Sequence, residues 1–318
     1  MTMKNRFLIV LVASLALTAC EKVVNIGEPA DHQLVLNGIP AAGKQAFVYF
    51  ANTRFFLDSS NNQPVDGVNM TLTVNGIPMI PDSVVRCRYY FNHVWQENDS
   101  VSVDVDAGGR AVHAATYVPL YPDVQNATAA FFASPSFNFH VVDFRLDDHA
   151  GMAENYSIVV QQRDSGMHYN VWYDSLELID TVRTTFFLVP YNPEITSNDV
   201  CPYVPLGGYL YSTIMFLDRN IDGQQYPLSL YIMQTIDTNE RPPFKHEYFV
   251  DISSVTPARW NYMLSAASQN SMFSYFAEQG QPYGNVEGAL GVFGGSATRH
   301  YRFNPDTIGT MPVPLQPL

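Results

Sequence analysis

Three groups of residues in this chain have types and spacings that could do chemistry. Asp218-Arg219-Asn220-Ile221-Asp222-Gly223 follows the first half of a calcium loop, D-x-[DN]-x-[DN]-G. In such a loop alternate residues turn oxygens toward an ion that takes about six to eight of them. The match then stops. The twelfth position is Ser229, where the loop would place a bidentate glutamate, and strand-like runs flank it in place of helices. Asp218, Asn220 and Asp222 are therefore a calcium candidate weighed against a β-hairpin turn made by Asp and Gly. Carboxylate pairs occur at Asp104/Asp106 and Asp147/Asp148. A glycosidase needs two carboxylates about 5–10 Å apart across a cleft. Asp104 and Asp106 share one strand face, which meets the spacing but not the cleft. Tyr169, Trp172, Tyr173 and Tyr203 could stack on sugar faces if exposed; aromatic side chains otherwise pack in cores.

Other chemistries lack their patterns. Gly294-Gly295-Ser296-Ala297-Thr298 does not match the G-x-S-x-G of serine hydrolases, and S-x-x-K is absent. The eight histidines are scattered without HExxH or HxH, so each reads as a surface or hydrogen-bonded residue. The glycines at 288, 291, 294 and 295 fit neither phosphate-loop spacing, and they follow a helix instead of opening one. They read as positions of unusual φ or close backbone packing. No cofactor is implied.

Cys20 ends a short leader. Lys4 and Arg6 give it a positive start, and Phe7 to Leu17 form an apolar run too short to span a bilayer, which takes about 20 residues. Small residues then precede the cysteine. The order resembles a bacterial lipoprotein signal, in which cleavage leaves the cysteine carrying acyl chains such as palmitate. On that reading residues 1–19 are removed and residues 20–32 are a lipidated tether to the membrane. Loss of Lys4 and Arg6 takes the formal net charge from −13 to −15. An acidic chain disfavours nucleic acid as a partner, because that affinity rests on Lys and Arg neutralising phosphates. The remaining cysteines, Cys87 and Cys201, could bridge in an exported protein or stay as two buried thiols.

The elements that must position these residues are short strands. Asn37-Gly38 and Asn75-Gly76 each follow an apolar run, and Asn-Gly between two such runs is a strong hairpin signal. Val101 to Asp106 alternates apolar and polar residues, as a half-buried strand does. About eight strands over residues 33–118 predict an immunoglobulin-like β-sandwich. Pro119 and Pro122 mark a linker at 119–135. Residues 136–303 predict a second, larger β-sandwich, with strands at Tyr156 to Gln161, Val171 to Ile179 and Tyr226 to Ile236. It carries one helix near 256–275, capped by Thr256 and started by Pro257. Trp260, Met263, Leu264 and Ala267 recur at helical spacing and should pack on a sheet. Residues 304–318 read as a C-terminal tail. The class is all-β.

Several stretches together resemble a known family. They are Cys20 to Ile26, Leu34 to Gly38, Gly109 to Pro119, Trp260-Asn261-Tyr262 and Asn285 to Gly295. The chain resembles the exported lipoproteins of Bacteroidetes known as domain of unknown function 4249. The resemblance implies an outer-membrane lipoprotein encoded beside TonB-dependent receptors, with no catalytic residues to assign. The expected function is accordingly non-enzymatic: an accessory or ligand-binding component of a TonB-dependent transport system, held by its N-terminal lipid on the cell-surface or periplasmic side. A glycan is a possible ligand. The rivals are a surface glycan-acting hydrolase with a carboxylate site, and an adhesin or structural surface protein. Asp82-Ser83-Val84, Asp99-Ser100-Val101, Asp174-Ser175-Leu176, Asp180-Thr181-Val182 and Asp306-Thr307-Ile308 resemble O-glycosylation sites of exported Bacteroidetes proteins.

Overall fold

The computed structural model describes residues 33–53, 64–133, 138–151, 155–170, 172–185, 187–189, 210–211, 213–217, 221–233, 240–269 and 282–318. Cys20 and the rest of the leader and tether, Cys201, Tyr203, Asp218 and Asn220 lie outside them.

Eight strands follow in order from Leu34. They are β1 (Leu34–Asn37), β2 (Gln45–Asn52), β3 (Val68–Val74), β4 (Ile77–Met79), β5 (Ser83–Val85), β6 (Arg88–Val94), β7 (Ser100–Ala107) and β8 (Arg110–Tyr117). They pair antiparallel into two four-stranded sheets, β1-β2-β6-β5 and β4-β3-β7-β8. Period-two alternation sets the buried faces. In β7, Val101, Val103, Val105 and Ala107 point into the core, and Leu36, Phe50, Leu72, Phe91 and Trp95 meet them there.

The turns follow local chemistry with two exceptions. Asn75 and Gly76 have φ of 52° and 81° and join β3 to β4, as Asn-Gly predicts. Asn37-Gly38 makes no hairpin; its role is described below. Arg86 and Cys87, without Gly or Asn, form the two-residue turn between β5 and β6, with φ of 48° and 65°. Cys87 is buried there, and burial pushes its thiol pKa up.

The second sandwich contains β9 (Asp123–Ala133), β10 (Asn138–Asp147), β11 (Asn155–Asn170), β12 (Ser175–Thr184), β13 (Phe187–Leu188), β14 (Leu210–Tyr211), β15 (Thr213–Leu217), β16 (Gln225–Met233) and β17 (Glu240–Val255). Helix α1 (Pro257–Gln269) follows, then β18 (Ser296–Phe303), β19 (Val313–Pro314) and β20 (Gln316–Pro317). One sheet has the order β14-β13-β16-β10-β9-β19. The other has β12-β11-β17-β18-β20, with β15 also paired to β11. Val142, Phe144, Leu228 and Leu230 from the first sheet pack against Ile158, Val160, Val250 and Ile252 from the second. Among the described residues the all-β class with one α-helix is what the strand pattern predicts.

Three boundaries differ from the sequence reading. Asp123–Ala133, within the stretch read as a linker, is an 11-residue strand with Ala129 fully buried. Pro122 cannot donate to a ladder, so pairing starts directly after it. Trp172 to Asp174, expected inside a strand, belong to the turn between β11 and β12. Residues 304–318 do not leave the sandwich. β19 adds to the edge at β9, β20 adds to the edge at β18, and Leu315 between them is buried. Prolines suit such short edge strands because they need no outward N–H.

Helix α1 starts as predicted at Pro257, and Thr256 O accepts from Trp260 N at 2.9 Å. The Thr256 hydroxyl is buried and makes no hydrogen bond, so its carbonyl alone serves the helix start. Trp260 packs with Met215 and Val255, flanked by Met263 and Leu264, so this part of the predicted stripe faces a sheet.

The glycine-rich segment ties the C-terminal half to the first sandwich. It runs parallel beside β1. Leu36 N donates to Leu290 O at 2.8 Å, Gly38 N to Val292 O at 3.0 Å, and Ser296 N to Pro40 O at 2.8 Å. On its other side Glu287 and His113 of β8 exchange backbone bonds of 2.8 and 3.0 Å. The segment thus spans from the edge of one sheet to the edge of the other, and Phe293 drops fully buried into the core between them. This explains Asn37-Gly38. Asn37 Oδ1 accepts from Val292 N at 3.0 Å, and a Cβ on Gly38 would lie 2.4 Å from the Phe293 ring. It also explains the glycines. A Cβ on Gly291 (φ 119°) would fall 2.0 Å from Leu36 O, and one on Gly295 would fall 1.9 Å from Tyr117 O.

Candidate functional site

The hairpin of β11 and β12 is where the sandwich logic reverses. Up to Val160 the inward row of β11 is apolar, with Tyr156, Ile158 and Val160 fully buried. Beyond it the same row continues as Gln162, Asp164, Gly166 and His168. Opposite these on β12 stand Arg183, Thr181, Ile179 and Glu177. Residues directly opposite in an antiparallel pair share a face. The outward row therefore holds Met167 and Tyr169 opposite Leu178 and Leu176, and Arg163 opposite Val182. Leu176, Leu178 and Val182 are exposed, Leu178 at 79%. Leu176, Leu178 and Val182 thus stand exposed in a row they share with Asp180 and Thr184, while buried Gln162 and Asp164 lie behind; apolar residues turned outward over buried polar ones are the inverse of what stabilises a sheet in water.

The tip carries the aromatic candidates. Trp172 is 90% exposed and Tyr173 78%. The chain has three tryptophans; Trp95 and Trp260 are buried, and only Trp172 is displayed. The tip is built, not frayed. Trp172 N donates to Asn170 Oδ1 at 3.0 Å, Asn170 Nδ2 donates to Glu177 Oε1 at 3.0 Å, and the Tyr169 hydroxyl donates to Asp174. Tyr169, Trp172 and Tyr173 thus come together at one end of one hairpin. The fourth candidate, Tyr203, lies outside the described residues. Lower on the same face, Arg163 makes a bidentate pair with Asp180, Nε–Oδ1 and Nη2–Oδ2 both 2.8 Å. That hydrogen bonding holds the Asp180 carboxyl below its ordinary pKa and the Arg163 guanidinium above its own. With Gln161, Val182 and Phe249 the pair lines a shallow depression of about 440 Å³.

Behind this face lies a buried polar group. Asp164 accepts from Gln162 Nε2 at 2.6 Å, lies 2.8 Å from His246 Nδ1 and pairs with Arg183 at 3.0 Å. Further inside, His140 is buried, and neither ring nitrogen has a hydrogen-bond partner. The rings of Phe131, Tyr248 and Phe303 stand 5.6 to 6.0 Å from it. Desolvation pushes its pKa down to about 4. The expectation that every histidine is exposed or hydrogen-bonded fails here. His140 keeps the inward phase of β10 with Val142, Phe144 and Leu146, and that periodicity was the signal available in the sequence.

The other candidates are engaged in structure. The strands on either side of the D-x-N-x-D-G segment do not pair with each other as a hairpin. β15 pairs with β11 and β16 pairs with β10, so the chain crosses there from one sheet to the other. Asp222 Oδ1 accepts from Gly151 N at 2.7 Å, and Gly223 N donates to Asp148 Oδ2 at 2.9 Å. Asp148 also accepts from the Tyr156 hydroxyl, and Asp147 from Arg145 Nε. Asp104 and Asp106 share the outer face of β7, as expected from the alternation. Asp104 lies 2.7 Å from His113 Nδ1, and Asp106 accepts from Gly109 N in the β7–β8 turn. Asp104, Asp106 and His113, together with Glu287, line an open depression of about 400 Å³. Of the Asp-Ser/Thr motifs, Asp99-Ser100 has a structural aspartate. Asp99 is buried and accepts from Asn75 Nδ2 and Gln96 N, with His93 Nε2 at 2.8 Å. Burial raises its pKa, but these bonds outweigh it and leave the carboxyl below the ordinary range.

No curated protein shows significant similarity to the chain. Residues 21–302 match the model of the family described as a domain of unknown function (DUF4249), and the chain belongs to that family.

Proposed function

We propose that this protein is a non-enzymatic lipoprotein of the Bacteroidetes type, anchored to the outer membrane through Cys20. It serves a TonB-dependent transport system as an accessory that binds a ligand or the transporter. The observation that carries the binding role is the β11–β12 hairpin, which displays Trp172 and Tyr173 at its tip and an apolar row along its outward face. Trp and Tyr bring large contact area at low conformational cost, and they dominate the energetics of protein and sugar recognition. The leader from Lys4 to Cys20 supports export and anchoring.

Co-purification from detergent-solubilised native membranes tests this. The tagged wild-type protein should recover a transporter, and Trp172→Ala/Tyr173→Ala should lose it by roughly tenfold or more. Recovery of the wild type with no transporter, or equal recovery by the variant, would overturn the role of the hairpin.

A further inference from the structure

The edge of β12 is unusual in what it lacks. An outer strand presents a row of unpaired backbone donors and acceptors, and natural sheets blunt it with charged side chains, lysine above all, or with proline, a bulge or short length; the charges of β12 are Glu177, Asp180 and Arg183, of both signs. β12 is 10 residues long, Ser175-Leu-Glu-Leu-Ile-Asp-Thr-Val-Arg-Thr184, with no lysine and no proline. Its ladder with β11 runs from Asn170↔Ser175 to Gln161↔Thr184 without a register shift. Among the described residues it pairs with β11 alone.

We infer that this edge is an interface between two copies of the chain, joined by antiparallel β12–β12 pairing about a twofold axis at Asp180. The charge pattern selects the occupant and the register. An isologous pair must match residues of equal phase, so that both sheets keep their faces. Centring the axis on Asp180 sets Glu177 opposite Arg183 on the polar face, twice by symmetry. The same register sets Leu178 opposite Val182 and Leu176 opposite Thr184 on the outward face. The apolar row thereby continues across the junction. Moving the axis to Ile179 opposes Leu178 to Asp180, and moving it to Thr181 opposes Asp180 to Val182; neither pairs Glu177 with Arg183. The one like-charge meeting in the chosen register, Asp180 with Asp180, is offset because each carboxylate is already held bidentate by its own Arg163. Arg183 spends only part of its donor fork on Asp164, and its side chain is 57% exposed, so further N–H groups remain for Glu177 of the second copy. Opposite charges and apolar residues placed directly across a strand pair are the unit of sheet stabilisation.

The inference shares with the proposed function only the reading of the hairpin as a contact surface, and it makes no use of Trp172 or Tyr173; Glu177 gives Oε1 to Asn170 and Ser175 and keeps Oε2 for Arg183 of the second copy. The test is disulfide formation in intact cells expressing the full chain, read on non-reducing gels against the wild type to account for Cys87 and Cys201. Asp180→Cys should link to itself across the axis and yield a band of twice the chain mass. Leu178→Cys should not, because its counterpart lies four residues away, whereas Leu178→Cys/Val182→Cys should. Adding Glu177→Arg to Asp180→Cys should lower the cross-linked fraction roughly tenfold by opposing like charges twice. The inference is overturned if Asp180→Cys adds no band, links to a protein of another size, or links no better than Leu178→Cys. Failure here with transporter recovery intact removes the pairing and leaves the proposed function standing.

Discussion

In the first sandwich the outer edge of β1 is covered by residues 290–296 of the same chain, whereas in the second, among the described residues, the 10-residue β12 pairs with β11 alone. The interiors differ in the same sense. Around Leu36, Phe50, Phe91 and Phe293 the first core is apolar, with its buried acid, Asp99, tied off by three partners. The second core runs out into Gln162, Asp164 and the unbonded His140. An edge closed from within adds to stability. An edge left open, with apolar residues facing outward, adds nothing to the isolated fold and gains only when something covers it.

The largest effect should come from opening the closed edge. Phe293→Ala removes a fully buried ring from the first core and should cost about 3–5 kcal/mol in denaturant unfolding. Gly295→Ala, with its Cβ aimed at Tyr117 O, should disrupt the same seam. A loss below about 1 kcal/mol for Phe293→Ala would mean that the segment merely rests on the sandwich.

Next comes the polar end of the second core. The pKa of His140 is depressed when folded, to about 4 from an ordinary 6.5. The unfolded chain therefore takes up the proton first. The stability tied to neutral His140 is complete above pH 6.5 and is lost as pH falls from there toward 4, by about 3 kcal/mol in total. His140→Phe should flatten this part of a pH series of melting curves. An unchanged slope in the variant would assign the acid sensitivity elsewhere.

The smallest effect should lie on the open hairpin. Leu178→Ser and Trp172→Ala should each change stability by no more than about 0.5 kcal/mol, as exposed positions do. A drop above about 2 kcal/mol in either would show that this face is packed in the isolated protein, and the contrast between the two edges would collapse.

Local chemistry made much of the fold legible. Period-two alternation in β7, Asn75-Gly76 and Thr256-Pro257 each encode a neighbour-to-neighbour event, and each element forms where predicted. The misreadings concern pairing at a distance. Asn37-Gly38 carries the same dipeptide as the true turn, yet its partners are Val292 and Phe293, some 250 positions on. Nothing within a short window separates the two uses. Ile221-Asp222-Gly223 likewise turn the chain as Asp and Gly do, but which sheet the next strand joins is set by long-range packing. In the candidate site the residue types Tyr169, Trp172 and Tyr173 could be singled out from the sequence. Their exposure could not, because an aromatic run reads alike on a core strand and at a hairpin tip.

The sequence by itself determined the all-β class, the helix start and the glycines that must lack a side chain. Each rests on local sterics or on a short linear pattern. The tertiary structure alone decided that those glycines clear a path beside β1, that the inward row of β11 passes from apolar to polar beyond Val160, and that, among the described residues, β12 pairs with β11 alone. A strand's residues specify which of its faces is apolar. Whether that face is buried depends on how far the opposing sheet extends, and that is settled by contacts among residues far apart in the chain.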